Sequence, residues 1–175
     1  IVKENPFRTI LGISFFTGTI DESLDLAKKG GLVVMPSGPN LADLPFEPEY
    51  QEAVMKSDLV LLDSGFLKFV WWLRMRERLP RNSGLKFLIK LVSDKEFLKE
   101  HGSFWVMPNE EESMLNKVWL KNRGITLEDD NCYVSPIYAK GQIEDQTLKT
   151  ILLKRRPRFI MINIAGGVQE KLGYF

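Results

Sequence analysis

At 175 residues, with 44% apolar and 27% charged side chains, the chain can bury one sizeable core and has the make-up of an ordinary soluble globular domain. A formal net charge of +1 gives no global field to draw in nucleic acid, and no apolar run approaches the length that spans a bilayer. The one cysteine, Cys132, excludes an intrachain disulfide and a cysteine-built zinc site, and the one histidine, His101, removes His-based triads and most metal-ligand schemes.

Residues Ile10 to Thr19 alternate loosely and carry Gly12 and Gly18, which predicts a short strand or hairpin. Thr19-Ile20-Asp21-Glu22 has capping-box spacing and opens a helix through Lys29, ended by Gly30-Gly31. Leu32-Val33-Val34-Met35 reads as a short buried strand broken by Pro36-Ser37-Gly38-Pro39, and Glu47 to Lys56 as a helix. Leu59-Val60-Leu61-Leu62 reads as a strand buried on both faces, as in a parallel sheet, and it stops abruptly at Asp63-Ser64-Gly65. An aromatic segment, Phe66 to Leu73, and a basic one, Arg74 to Arg81, follow; Gly84 to Glu100 has helical spacing with a break near Ser93-Asp94.

The second half repeats the pattern. Phe104 to Met107 is a strand, and Asn109 caps a helix whose first turn holds Glu110, Glu111 and Glu112, where the helix dipole favours acids. That helix runs to about Asn122 and stops at Gly124; Tyr133-Val134-Ser135 is a weak strand, and Ile143 to Arg155 is a helix closed by Pro157. Phe159 to Ile164 is the clearest strand, ending in Ala165-Gly166-Gly167. This alternation predicts an α/β fold, doubly wound, with a mainly parallel sheet and helices on both faces, in a single domain over residues 1–175.

In open α/β sheets, ligands bind beyond the carboxyl ends of the strands, so Asp63 stands where chemistry is expected. Its simpler use is to cap the next helix together with Ser64. Arg74, Arg76, Arg78 and Arg81 read either as a solvated helix face or as a source of one guanidinium that grips a diphosphate in bidentate fashion. Trp71-Trp72 reads as core rather than as a membrane or sugar platform. Lys154-Arg155-Arg156 with Arg158 can meet anionic headgroups or simply complement a helix C-terminus. Glu128-Asp129-Asp130-Asn131 is a turn of solvated acids rather than a metal loop, Cys132 an inert core thiol and His101 a helix end.

Taken together, these segments resemble the WecG/TagA/CpsF glycosyltransferases (glycosyltransferase family 26), bacterial enzymes that move a sugar from a UDP-sugar to an undecaprenyl-diphosphate-linked acceptor. Ile10-Leu11-Gly12-Ile13-Ser14-Phe15 is similar to the family's opening strand, and Ser57-Asp58-Leu59-Val60-Leu61-Leu62-Asp63 to its "ADLVLPDG" block. Val33-Val34 with Pro36, Arg81 in Pro80-Arg81-Asn82-Ser83-Gly84, and Gly166-Gly167-Val168-Gln169-Glu170-Lys171 (like "GAPKQEK") complete the match. The chain departs from the pattern at Met35, where the family has an active-site threonine, at Ser64, where it has glycine, and at Pro108, in place of a glycine-bearing turn.

The resemblance implies a Rossmann-like fold and an inverting, metal-independent transferase of a hexose or N-acetylhexosamine such as N-acetylmannosamine, acting in cell-surface polysaccharide synthesis. Asp63 would be the general base and Arg81 the stabiliser of the departing UDP. Ser37, Asn40, Ser64, Gly65, Gly166, Gly167, Gln169 and Glu170 would bind substrate. No cofactor and no metal are expected; the UDP-sugar is the donor, and the polyprenyl-diphosphate acceptor implies peripheral attachment at the inner face of the cell membrane. A homo-oligomer is compatible with this, and nucleic acid is not a partner. The family's basic, membrane-associating C-terminal segment is missing beyond Phe175, so a divergent member, a truncated one, or both, is expected. The alternatives are a nucleotide-sugar-binding protein without turnover on the same fold and a dinucleotide-binding module; the latter lacks a glycine-rich fingerprint.

Overall fold

The computed structural model describes residues 5–80, 82–98 and 102–175; Arg81 and His101, both singled out by the sequence, lie outside them. The chain is mixed α/β, with helices between short, mainly parallel strands. It divides into two compact units, one over Ile1–Leu91 and the other taking up the chain at Val92, and among the described residues the strands pair into two small sheets where the sequence predicts one.

In the first unit, β1 (Phe7–Ile10) and β2 (Ile13–Phe16) form an antiparallel hairpin. Leu11 and Gly12 make its two-residue turn, both at positive φ (53° and 78°), the geometry whose twist matches the strands it joins. The hairpin starts three residues before the predicted Ile10 because Phe7 packs edge-on against Phe16, with ring centroids 5.4 Å apart. The capping box at Thr19 forms as predicted: its hydroxyl accepts from the Glu22 N–H at 3.2 Å, and its own N–H donates to the Glu22 carboxylate at 2.9 Å. It opens α1 (Ile20–Ala27).

β3 spans only Val33–Val34. The Pro36-Ser37-Gly38-Pro39 breaker then proves to be the start of a short helix, α2 (Gly38–Asp43), because proline near a helix N-terminus removes an N–H that has no intrahelical partner anyway. α3 (Pro48–Met55), β4 (Leu59–Leu61), α4 (Gly65–Met75) and α5 (Gly84–Val92) follow. The sheet order is β1-β2-β4-β3, with β4 parallel to both β2 and β3. A two-residue strand at one edge is too short a template to carry the ladder further. Phe15, Tyr50, Val54, Val60 and Leu62 lie at the heart of this unit's core. The sequence expectation that Trp71-Trp72 is core is corrected in part: Leu67 and Trp71 pack against the core, Trp72 is exposed, and no α4 residue is fully buried.

The second unit has β5 (Ser103–Met107) at the centre of a three-stranded parallel sheet, β6-β5-β7, with β6 at Cys132–Val134 and β7 at Phe159–Ile162. Asn109 caps α6 (Glu110–Lys121) by accepting from the Glu112 N–H at 2.8 Å, as its sequence position predicts. The acid turn at 128–131 is a single 3-10 turn whose charges are paired: Asp129 with Lys117 at 2.5 Å and Asp130 with Arg155 at 3.0 Å. α7 (Gln146–Arg155) starts three residues later than predicted, because Asp145 is its N-cap and Ile143 is drawn into the core beside Phe104, Leu148 and Leu172. The glycine-rich turn after β7 opens a further helix, α8 (Val168–Tyr174), which the sequence reading did not call.

Candidate functional site

Three strands of the first sheet, β2, β3 and β4, run parallel, so their carboxyl ends share one edge. β4 and Leu62 are fully buried, and the first polar side chain after them, Asp63, emerges at that edge half-buried. Its simpler expected use, capping α4, is taken by its neighbour: the Ser64 hydroxyl accepts from the Leu67 N–H at 3.1 Å. Asp63 has a partner beyond that helix. One oxygen, Oδ2, accepts instead from the Gly84 N–H at 2.9 Å, so the carboxylate sits at the N-terminal end of α5, where helix polarity favours negative charge.

Four segments meet along this edge. A Cβ placed on Gly84 would lie 3.1 Å from Asp63 Oδ2 and 3.2 Å from Met35 Sδ, which brings the residue after β3 against the acid after β4. A Cβ on Gly38 would lie 3.2 Å from the Ser64 hydroxyl, so the start of α2 abuts the start of α4. Buried Asn82 donates to the Gly18 carbonyl at 3.1 Å, which ties the 82–84 segment to the chain leaving β2. The first turns of α2, α4 and α5 therefore open on the same region as Asp63. Helix polarity at these first turns favours negative charge.

Of the residues expected to bind substrate, Ser37, Asn40, Ser64 and Gly65 lie on the segments that leave β3 and β4 at this edge, together with Asp63. Ser37 donates to the Asn40 side-chain carbonyl at 2.7 Å, so these two groups expected to bind substrate hold each other. Met35, at the threonine's position, presents a thioether beside the carboxylate. The guanidinium expected from Arg81 lies outside the described residues.

Gly166, Gly167, Gln169 and Glu170 belong to the second unit, at the carboxyl end of β7. There the polar residues serve their own turn. Gly167 has φ of 83°, a left-handed conformation that favours glycine, and its N–H donates to Glu170 Oε2 at 2.7 Å. Gln169 donates to the other Glu170 oxygen at 3.2 Å, and Glu170 is only 2% exposed.

Sequence reading missed two features. Gly84 and Asn82 were visible only as neighbours of Arg81, and backbone donation from a glycine leaves no side-chain signature. Asp145 was not singled out either. It is buried, caps α7 through the Leu148 N–H at 2.8 Å, and accepts from Tyr133 and Tyr138 hydroxyls at 2.9 and 2.7 Å. Burial alone would push its carboxyl up, but the Leu148 and Thr147 N–H groups and the two phenols hold it below the ordinary carboxylate value. Burial, then the carboxylate, pushes Tyr133 up to about 12 and raises Tyr138 as well. This is a closed, fully engaged cluster, suited to fixing the entry to α7.

Among the described residues, no helix is long and apolar enough to cross a membrane. No protein family model matches the chain, and no curated protein matches it.

Proposed function

We propose that the chain is a glycosyltransferase of the WecG/TagA/CpsF type, with a Rossmann-like fold, that moves a hexose or N-acetylhexosamine from a UDP-sugar to a polyprenyl-diphosphate-linked saccharide. The observation that carries this reading is the place of Asp63 at the carboxyl edge of the first sheet, where Ser64 caps α4 and Asp63 Oδ2 accepts from the Gly84 N–H at the start of α5. Asp63 is the general base. It takes the proton from the acceptor hydroxyl as that oxygen bonds to the anomeric carbon; the bond from that carbon to the diphosphate breaks on the opposite face, and UDP leaves with the electron pair. Base assistance of this kind is worth about 10²–10⁴-fold. The first turns of α2, α4 and α5 receive diphosphate oxygens, and Arg81 supplies the balancing charge. Gly166, Gly167, Gln169 and Glu170 enter this reading only through the resemblance. A lipid-linked acceptor sets the reaction at the inner face of the cell membrane.

One observation favours a second reading, a nucleotide-sugar-binding protein without turnover. The Met35 thioether stands beside Asp63, where the family places a hydroxyl, and it can neither orient an acceptor nor relay a proton. The two are separated by measuring transfer from a panel of radiolabelled UDP-sugars to polyprenyl-diphosphate acceptors, wild type against Asp63→Ala. Transfer that falls at least a hundredfold in the variant supports the enzyme. UDP binding with no transfer by either protein supports the binding protein, and equal turnover removes Asp63 from the base role.

A further inference from the structure

α4 is an eleven-residue helix with no acidic side chain and no fully buried residue. Only Leu67 and Trp71, one turn apart, pack against the core. The outward face is apolar and aromatic: Phe66 is 75% exposed, Phe69 56%, Leu73 54% and Met75 53%. A continuous apolar stripe of this kind on an isolated surface helix calls for a covering partner.

The charges around the stripe identify that partner's chemistry. Lys68, Arg74, Arg76 and Arg78 lie on the helix or just past its end, and the three arginines are exposed. The one acid nearby, Glu77, is turned inward: Arg8 Nε donates to it at 2.9 Å and Trp71 Nε1 at 3.1 Å. The guanidinium of Arg76 lies over the Trp72 ring at 5.8 Å, so cation and aromatic edge sit together. The helix is about 16 Å long, too short to span a bilayer and suited to lying in its interface. In the other basic cluster Arg155 pairs with Asp130 at 3.0 Å and Arg158 with Glu96 at 3.5 Å, while Lys154 and Arg156 are exposed but border no apolar stripe like that of α4.

We infer that α4 is a lipid-contacting element, which lays Phe66, Phe69, Leu73 and the Trp72 edge into the surface of an anionic bilayer while Arg74, Arg76 and Arg78 meet its headgroups. The inference stands on α4 itself and holds whether or not Asp63 acts as a base.

The test is co-sedimentation of the full chain with vesicles of phosphatidylcholine, with and without phosphatidylglycerol. Expected is binding to the anionic vesicles that weakens with salt and falls about tenfold or more in Phe66→Ser/Phe69→Ser/Leu73→Ser and in Arg74→Glu/Arg78→Glu. The altered side chains are exposed, so thermal melts of both variants stay at the wild-type midpoint. Asp63→Asn binds vesicles like wild type. Fluorescence quenching by brominated lipid is expected to drop in Trp72→Phe. Wild-type binding that the triple variant retains, or no binding to anionic vesicles, overturns the proposal. So does self-association that the same triple substitution abolishes in a protein that ignores vesicles.

Discussion

At the end of β4, Ser64 satisfies the opening turn of α4, and Asp63 reaches Gly84, 21 residues further along the chain. At the end of β7, Glu170 turns back on Gly167, three residues earlier, and Gln169 turns onto Glu170. Both are acids near glycines after an aliphatic strand, and by sequence both were assigned to one substrate pocket. What separates them is whether another side chain has already met the needs of the turn. Where another side chain caps the helix that follows, the acid bonds to a distant segment instead, because unmet N–H groups in a first turn draw in the nearest carboxylate.

The largest effect this contrast predicts is functional and falls on the first strand end. Asp63→Ala should lower transfer by about 10²–10⁴-fold with little loss of UDP binding, read by kcat against a UDP titration. If UDP binding is lost in parallel, Asp63 is a structural tether for α5 rather than a base.

The next falls on stability, at the closed cluster in the second unit. Asp145→Ala strips a cap and leaves two phenols without their acceptor, and should cost about 2–4 kcal/mol in urea unfolding. Because the folded-state carboxyl is held below its ordinary value, its contribution is complete above about pH 4 and lost as the pH falls through the folded-state value. The wild-type advantage over Asp145→Ala should therefore shrink below about pH 4 and stay flat from there to neutrality. At the alkaline end the sign reverses. Tyr133, raised to about 12, contributes stability that is complete below about pH 10 and lost as pH climbs towards its folded-state value.

Glu170→Ala should behave as a cap deletion, costing about 1–2 kcal/mol of stability and leaving per-molecule transfer close to wild type. A loss of transfer as large as that of Asp63→Ala, at unchanged stability, would break the contrast and support the donor-pocket role that the resemblance implies for Glu170.

Smallest and sharpest is Gly84→Ala. The added methyl would stand 3.1 Å from Asp63 Oδ2 and 3.2 Å from Met35 Sδ, so one of them must yield by a few tenths of an ångström. Alanine's helix propensity gains up to about 1 kcal/mol over glycine, which offsets the crowding in stability. Turnover should nevertheless fall several-fold, and pairing the variant with Met35→Ala should restore part of it. Unchanged kcat would show that the position of the carboxylate is not critical.

Much of the local structure was legible because short-range chemistry decides it. Thr19 with Glu22, and Asn109 with its run of acids, announce helix starts by spacing alone, and both cap as written. Strand ends were legible where aliphatic runs met polar or small residues, as at Leu62-Asp63. The sequence misled where one residue type serves two purposes. The prolines around Ser37 and Gly38 looked like a breaker but begin a helix, and Gly166-Gly167, read as the end of a strand, opens α8. Trp71-Trp72 looked like core, yet only Trp71 packs there, because composition carries no record of which face a helix turns inward.

By itself, then, the amino-acid sequence determined the alternation of strands and helices, the caps, and the placement of an acid immediately after a buried strand, all of which depend on neighbours within a few residues. Only the tertiary structure decided that Asp63 binds a backbone N–H 21 residues away, that Glu170 closes on its own turn, that Asp145 gathers two tyrosines, and that α4 keeps its apolar face outward. Those outcomes turn on which hydrogen-bond and packing partners are already taken, a competition that is settled only when distant segments share the same space.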